Sequence, residues 1–155
     1  MKEAIKIAKD LLVVPFEGCA KVLPNGMVAA YPDPGSNGDP YTIGFGTTGP
    51  DVTPTTVWSM AECEKRLEAH LIHFATGLIK LSPRLVSAAP RRFAAVLSWA
   101  YNCGLGNYRV STFKRRIDAG DWAGAREECV KWNKARGRVM RGLTRRREAE
   151  ALMMR

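Results

Sequence analysis

The spacing of apolar residues changes along the chain from helical to strand-like and then back to helical. Near the N-terminus the apolar residues recur at intervals of three and four, at Ala4, Ile5, Ala8, Leu11 and Leu12. This spacing predicts an amphipathic helix over residues 2–13. Pro15 is expected to end this helix, because proline disfavours helical geometry in the residue before it. Glu17 is therefore expected at the helix end or just past it.

Residues 21–45 have the features of a small antiparallel sheet. Pro24–Gly26 is a turn sequence between two apolar stretches, which predicts a hairpin over residues 21–31. Residues 32–40 are so rich in Pro, Gly, Asn and Asp that they predict a loop. Tyr41–Phe45 is then a third predicted strand, followed closely by glycines that let the backbone turn.

Helical periodicity dominates after Asp51. Ser59–Glu62 has the pattern of a capping box. The helices predicted from spacing and capping residues cover 60–80, 90–102, 111–119, 122–132 and 143–154, with a break at 104–107. The fold class is therefore α+β, and mainly helical. We expect one domain with a β lobe at about residues 15–58 and a helical lobe at about residues 59–155 plus the first helix. Pockets commonly form between such lobes, so a cleft is expected there.

Composition and charge narrow the function classes. The 155 residues carry a formal net charge of +9, which suits an anionic partner but does not choose among nucleic acid, lipid and cell-wall polymer. No nucleic-acid-binding motif is present. No apolar run approaches the roughly 20 residues that span a bilayer, and no secretory signal is visible at the N-terminus.

The cysteines and histidines do not have the spacing of a metal site. No C-x-x-C pair occurs among Cys19, Cys63, Cys103 and Cys129, and His70 and His73 have no ligand-spaced cysteine beside them. We expect four free and mostly buried thiols, no metal and no cofactor.

Several carboxylates surround the predicted sheet. If Phe16 and Gly18 press Glu17 against apolar surface, its carboxyl would keep a proton and donate it; the alternative is a surface glutamate at a helix end. Asp33 and Asp39 lie in the loop, where an aspartate commonly caps its own backbone. Two carboxylates facing each other are what cleavage of a glycosidic bond requires.

Six motifs in order resemble the phage lysozyme family, the endolysins of glycoside hydrolase family 24. They are FEG at 16–18, AYPD at 30–33, TIGFG at 42–46, WAYNCG at 99–104, STFKRRIDAGD at 111–121 and WNKARGRVMRGLTRRREAEALM at 132–153. Each motif alone is weak, but together they cover nearly the whole chain. The resemblance implies a lysozyme-like fold.

The resemblance also implies a muramidase that hydrolyses the β-1,4 bond between N-acetylmuramic acid and N-acetylglucosamine in peptidoglycan. Its implied catalytic set is Glu17, Asp33 and Thr42. Glu17 would be the general acid, Asp33 would stay ionised and position water, and Thr42 would hold that water or line the sugar site. Tyr101 and Asn102 are candidates to bind substrate. The expected protein is a monomer that waits in the host cytoplasm and reaches the wall once the membrane is permeabilised.

Three departures from the family pattern leave alternatives open. The segment 35–40 resembles an insertion, which makes Asp39 a rival to Asp33. Thr47 stands where many members of the family have a histidine. The longer spacing between Glu17 and Asp33 indicates an extended hairpin. Lytic transglycosylase activity on the same bond, or non-catalytic wall binding, are the rival functions.

The arginines near the C-terminus have two interpretations. Arg138, Arg141 and 145–147 could attract the protein to an anionic wall, or they could form a charge cluster at a helix end with one arginine paired to Glu148 or Glu150.

Overall fold

The computed structural model describes residues 1–32 and 40–155, and its first helical stretch runs past Pro15 to end at Glu17. It consists of α1 (Lys2–Ile7), a π-helical segment (Ala8–Val13) and α2 (Val14–Glu17). The prediction that Pro15 ends the helix is therefore wrong. The π-helical segment ends at Val13, two residues before the proline, and such wide turns loosen the usual i→i−4 pattern into which a proline ring does not fit.

The chain divides into two compact units, a small unit of residues 17–70 and a helical unit of residues 1–16 and 71–155. The small unit contains two antiparallel strand pairs. Strand β1 (Val28–Ala29) pairs with β4 (Val57–Trp58), and β2 (Tyr31–Pro32) pairs with β3 (Tyr41–Thr42).

The predicted hairpin over residues 21–31 is confirmed. Val22 bridges Val28, and Gly26 donates its N–H to the carbonyl of Leu23 at 2.9 Å. Gly26 has φ +80°, a conformation in which glycine carries no steric cost.

The long amphipathic helix is also confirmed, as α3 (Met60–Leu81). The Glu62 N–H donates to Ser59 Oγ at 3.1 Å, as the capping box requires, while the Glu62 carboxylate accepts from Arg66 Nε at 2.8 Å. The apolar stripe packs in the interior, where Cys63, Leu67 and Leu71 are inaccessible to solvent.

The remaining helices of the chain follow after a 3-10 turn at Pro83–Ser87. They are α4 (Pro90–Cys103), α5 (Leu105–Val110), α6 (Thr112–Ala119), α7 (Trp122–Val130) and α8 (Arg141–Met153). Ser111 and Asp121 cap α6 and α7, because Ser111 Oγ accepts from Lys114 N at 3.0 Å and Asp121 Oδ1 accepts from Gly124 N at 2.8 Å. A short hairpin, β5 (Lys134–Ala135) with β6 (Arg138–Val139), precedes α8.

The predicted break is confirmed at Gly104, between α4 and α5, but its extension over residues 105–107 is wrong, because α5 begins at Leu105. Leu105 lies over Gly77 of α3, where an added Cβ would be 2.5 Å from Leu105 Cδ1. The hydroxyl of Tyr108 is 2.8 Å from Ser82 Oγ in the interior. These tertiary contacts favour a helix despite the glycines of the segment.

The core of the helical unit surrounds α4, whose residues 93–100 are all buried. Trp99 is at its centre, with ring centroids at 5.0 Å from Phe113, 4.9 Å from Trp132 and 6.1 Å from Tyr108. In the described part of the chain no helix combines the length and apolarity needed to cross a membrane.

A buried ion cluster ties α8 to α4. The Glu150 carboxylate accepts from Arg147 Nη2 at 2.9 Å, Arg146 Nε at 3.3 Å and Ser98 Oγ at 2.7 Å. The ring of Phe16 lies 5.9 Å from the Arg146 guanidinium carbon. For Arg146 and Arg147 the interpretation as exposed wall-attracting charges is therefore wrong, and the predicted pairing with Glu150 is confirmed.

Candidate active site

The TIGFG motif forms a tight turn in the small unit, directly after β3. Ile43 and Thr47 exchange backbone hydrogen bonds at 2.9 and 3.0 Å, which closes the turn around Gly44–Gly46. Gly44 has φ +61°, and an added Cβ there would lie 2.8 Å from both Cβ and Sγ of Cys63. Glycine is therefore required at this position both for backbone conformation and for packing onto α3.

Glu17 lies beside this turn. Gly46 has φ +90°, and the heavy atom nearest to an added Cβ would be Glu17 Oε2 at 3.8 Å. The end of α2 thus brings the carboxylate next to a residue that has no side chain to cover it. Of the two interpretations of Glu17, the surface glutamate at a helix end is confirmed, because Glu17 is exposed and is the last residue of α2. The helix ends with this residue on the surface of the small unit.

Two threonines, Thr42 in the TIGFG motif and Thr47 directly after it, are buried in the small unit. Thr42 is buried in β3, where it faces Tyr31 across the strand pair. Thr47 is only 3% exposed, and its hydroxyl has no hydrogen-bond partner among the residues that the structure describes. A buried hydroxyl of this kind is costly unless it binds water or substrate.

Four other residues were predicted to belong to the site. Asp33 and Asp39 are outside the described residues. Tyr101 and Asn102 are in the last turn of α4 in the helical unit; Asn102 is exposed, and Tyr101 is half-buried with its ring 5.5 Å from that of Phe74.

All four cysteines are free, as predicted, with Cys63 and Cys129 buried and the other two half-buried. Burial raises the pKa of the Cys63 thiol beneath the turn from 9.0 to about 11, so this thiol is neutral near pH 7. Among residues 1–32 and 40–155 no three His, Cys, Asp or Glu side chains are grouped closely enough to hold a metal ion.

The arrangement places an exposed carboxyl beside a glycine turn, with a buried threonine in the preceding strand. An exposed acid with an open approach can exchange a proton with a bound substrate. Sequence reasoning found Glu17, Thr42 and both glycines, but it missed Cys63 as the residue on which the turn packs. The signal was available, since a small residue on the apolar stripe of α3 marks a position where backbone can approach closely.

The comparisons with known proteins identify the family of the chain. The phage lysozyme family model matches residues 16–150. The endolysin of Bacillus phage B103 is 42% identical over 110 residues, which are 71% of this chain and 41% of that protein. The SAR-endolysin of Bacteriophage PS119 is 36% identical over 110 residues, or 70% of this chain and 64% of that protein. The chain thus spans about two fifths of the length of the B103 relative.

Solved structures show the same fold over the whole chain. An endolysin from Escherichia coli O157:H7 phage FAHEc1 has a TM-score of 0.75 and 28% identity, covering 99% of this chain and 91% of that one. The muramidase domain of SpmX from Asticaccaulis excentricus has a TM-score of 0.77 with 20% identity over 99% of this chain and 95% of its own, which shows the fold alone. Because the family model matches most of its length, the chain belongs to the phage lysozyme family.

Proposed function

We propose that this chain is the catalytic domain of a phage-type endolysin, a muramidase that hydrolyses the β-1,4 bond between N-acetylmuramic acid and N-acetylglucosamine. The observation that carries this proposal is the position of Glu17, at the end of a helix and beside Gly46, in a chain that belongs to the phage lysozyme family. Both compact units are proposed to form this one domain.

Glu17 is the proposed general acid, which protonates the leaving glycosidic oxygen. Gly46 supports this role, because a side chain at that position would extend over Oε2 and hinder the sugar. Since Glu17 is exposed, the protein alone does not remove it from water. The bound glycan strand must supply that exclusion, which strengthens the interaction between the acid and the bond that breaks.

Asp33 and Thr42 are the proposed partners in the hydrolytic step. An ionised Asp33 would orient or activate the attacking water and stabilise positive charge on the sugar, and Thr42 would hold the water or line the sugar site. Thr42 is buried in β3 immediately before the turn that lies beside Glu17, which supports its inclusion. Asp39 is the alternative to Asp33.

The central experiment is product analysis of purified peptidoglycan digested by the parent protein and by Glu17→Gln. The parent is expected to release reducing N-acetylmuramic acid ends, and Glu17→Gln to lose at least about 100-fold in rate, as loss of a general acid does. Glu64→Gln is the matched control, because Glu64 is an exposed glutamate on α3.

Three outcomes would redirect the proposal. Anhydromuramic ends would identify a lytic transglycosylase. Wall binding by the parent without any product would identify a binding module. Full activity in a folded Glu17→Gln protein would remove Glu17 from the mechanism.

The second acid can be identified in the same assay. Asp33→Asn and Asp39→Asn change one charge each and keep side-chain size. The proposal expects a severe loss of activity only for Asp33→Asn, whereas a loss confined to Asp39→Asn would assign the role to the inserted segment.

The proposed partner is the glycan strand of peptidoglycan, with Tyr101 and Asn102 as substrate-binding residues and the protein acting as a monomer without a cofactor. The proposed place of action is the wall, reached from the host cytoplasm after the membrane has been permeabilised. The names endolysin and SAR-endolysin of its relatives support a role in lysis. Fractionation of infected cells before and after lysis, followed by blotting, would test this location.

A further inference from the structure

The hairpin formed by β5 and β6 is exposed on both faces. Its register pairs Lys134 with Val139 and Ala135 with Arg138, so each face carries one cationic and one apolar side chain. Every residue from Lys134 to Arg141 is exposed, including Val139 at 61% and Met140 at 47%. We name residues 134–141 the basic hairpin.

The basic hairpin is held in shape without a core of its own. Met140 N donates to the Asn133 carbonyl at 2.9 Å, and Asn133 Nδ2 donates to Thr144 Oγ1 at 3.1 Å. These bonds tie both strand ends to the first turn of α8. The apolar side chains of the hairpin are therefore presented to solvent and not needed to hold it together.

The tip of the basic hairpin carries a strained cation. Arg136 has φ +49° and Gly137 has φ +75°, the two left-handed residues of a tight hairpin turn. Asparagine, aspartate or glycine usually takes the first of these positions, and another residue there costs free energy. An arginine at this position places positive charge at the farthest point of the hairpin.

The charged residues of the sequence in and next to the basic hairpin are all cationic. Residues 131–147 contain no Asp or Glu. In the part of the chain that the structure describes, Lys134, Arg138 and Arg141 have no carboxylate within ion-pair distance, whereas the neighbouring Lys131 pairs with Glu128 at 2.7 Å. The exposed positive charge is therefore concentrated where the apolar side chains are also exposed.

We propose that the basic hairpin is a docking surface for a bilayer of anionic phospholipid. Cationic side chains attract the headgroup phosphates, and adjacent apolar side chains enter the boundary with the acyl chains. A second copy of this chain would bring like charges together. A soluble polyanion would use the cations but would leave Val139 and Met140 in water.

The test measures binding of the full chain to vesicles by co-sedimentation. The vesicles are phosphatidylglycerol with phosphatidylethanolamine, or phosphatidylcholine alone. The parent is expected to bind only the anionic vesicles, and less tightly as salt is raised. Lys134→Gln with Arg138→Gln and Arg141→Gln should lower that affinity by about 100-fold, since each cation contributes about fivefold at an anionic membrane.

A matched control removes the same charge elsewhere, at the exposed cations Lys65, Arg91 and Arg109, each changed to glutamine. This variant should keep the affinity of the parent within about threefold, because its charges lie outside the basic hairpin. Equal losses in the two triple variants would overturn the proposal in favour of general electrostatics. Thermal melts of both variants establish that they are folded.

The apolar part of the surface separates a membrane from other polyanions. Val139→Ser with Met140→Ser should weaken binding to anionic vesicles at least fivefold and leave binding to double-stranded DNA unchanged. Val86→Ser with Val110→Ser is the control, because both valines are exposed on other elements, at 69% and 70%. Unchanged vesicle binding by the hairpin variant, or tighter binding of the parent to DNA than to vesicles, would refute the membrane assignment.

Discussion

Removing the charge of Glu150 tests whether the ion cluster in the helical unit excludes water, as the burial of its side chains indicates. Arg146 is 3% exposed, and Arg147 and Glu150 are fully buried. Glu150→Gln keeps the size and shape of the side chain but removes the carboxylate that pairs with the fully buried Arg147 guanidinium. The Arg147 guanidinium would retain its contact with Cys103 Sγ at 2.8 Å, which is a weak acceptor.

The expected loss in the free energy of unfolding follows from the buried Arg147 charge, which loses its carboxylate partner. Breaking a buried ion pair by removing one partner costs about 3–5 kcal/mol, because the remaining charge stays away from water. In Glu150→Gln, bonds from both arginines and from Ser98 lose a charged acceptor. We expect a loss of about 3–5 kcal/mol in the free energy of unfolding, and a Tm lower by about 6–20 °C for a chain of this size.

Urea unfolding followed by circular dichroism measures this loss, with Glu148→Gln as the control on the exposed side of the same helix. The control should stay within about 0.5 kcal/mol of the parent. Replacing the Arg147–Glu150 pair with apolar side chains in the double variant R147L and E150L should cost less than Glu150→Gln alone, since both charges of that pair are removed together. A loss below about 1 kcal/mol in Glu150→Gln would show that water or another group compensates the arginines, and the reasoning would fail.

Three further perturbations test the TIGFG turn. Gly44→Ala should destabilise the protein by about 2–5 kcal/mol, through left-handed backbone strain and the clash with Cys63. Gly26→Ala should cost only the backbone strain of about 1–2 kcal/mol, because an added Cβ there has nothing within 4 Å. Urea unfolding of the two variants measures the difference. Burial raises the pKa of Cys63 from 9.0 to about 11, so the unfolded chain loses this proton first and stability should fall from about pH 9 to pH 11. Cys63→Ala should flatten that decline in urea midpoints measured across the same range. Thr47→Val removes a buried hydroxyl and should raise stability by about 1 kcal/mol in thermal melts.

Each of these expectations has a contrary result. Equal costs for the two glycine variants would mean that the Cys63 contact relaxes freely. An unchanged decline between pH 9 and 11 in Cys63→Ala would assign that decline to other groups. A destabilised Thr47→Val would indicate that the hydroxyl binds a water molecule that is part of the fold.

The helical body was predictable because its signals are local. The apolar stripe of α3 repeats every three to four residues over several turns, and Ser59, Ser111 and Asp121 are capping residues whose hydrogen bonds form within three residues. Such bonds depend little on the rest of the chain. The residues that determine where these helices begin therefore lie next to the helix starts in the sequence.

The elements that were missed depend on distant partners. Strand β4 has only two residues, too few for an alternating pattern, and it exists because Val57 and Trp58 pair with β1. Helix α5 forms because Leu105 and Tyr108 find places on other helices.

The candidate site was predictable as a list of residues but not in its environment. Glu17, Thr42 and the glycines were identified from motifs. The exposure of Glu17 and the contact between Gly44 and Cys63 depend on how the helix end and α3 meet the turn. Neither follows from residue types alone.

The direction of the Glu17 side chain depends on the π-helical segment Ala8–Val13, whose residues are not part of the candidate site. A π turn holds about one residue more than an α turn, so losing a single residue there would tighten the coil and rotate everything after it by about 100° about the axis. Excision of the solvent-facing Leu11 would therefore turn the Glu17 side chain relative to the first turns of the helix, while leaving every side chain of the candidate site unchanged. If Glu17 is the general acid proposed above, small insertions or deletions in this segment would lower activity without altering any residue of the candidate site.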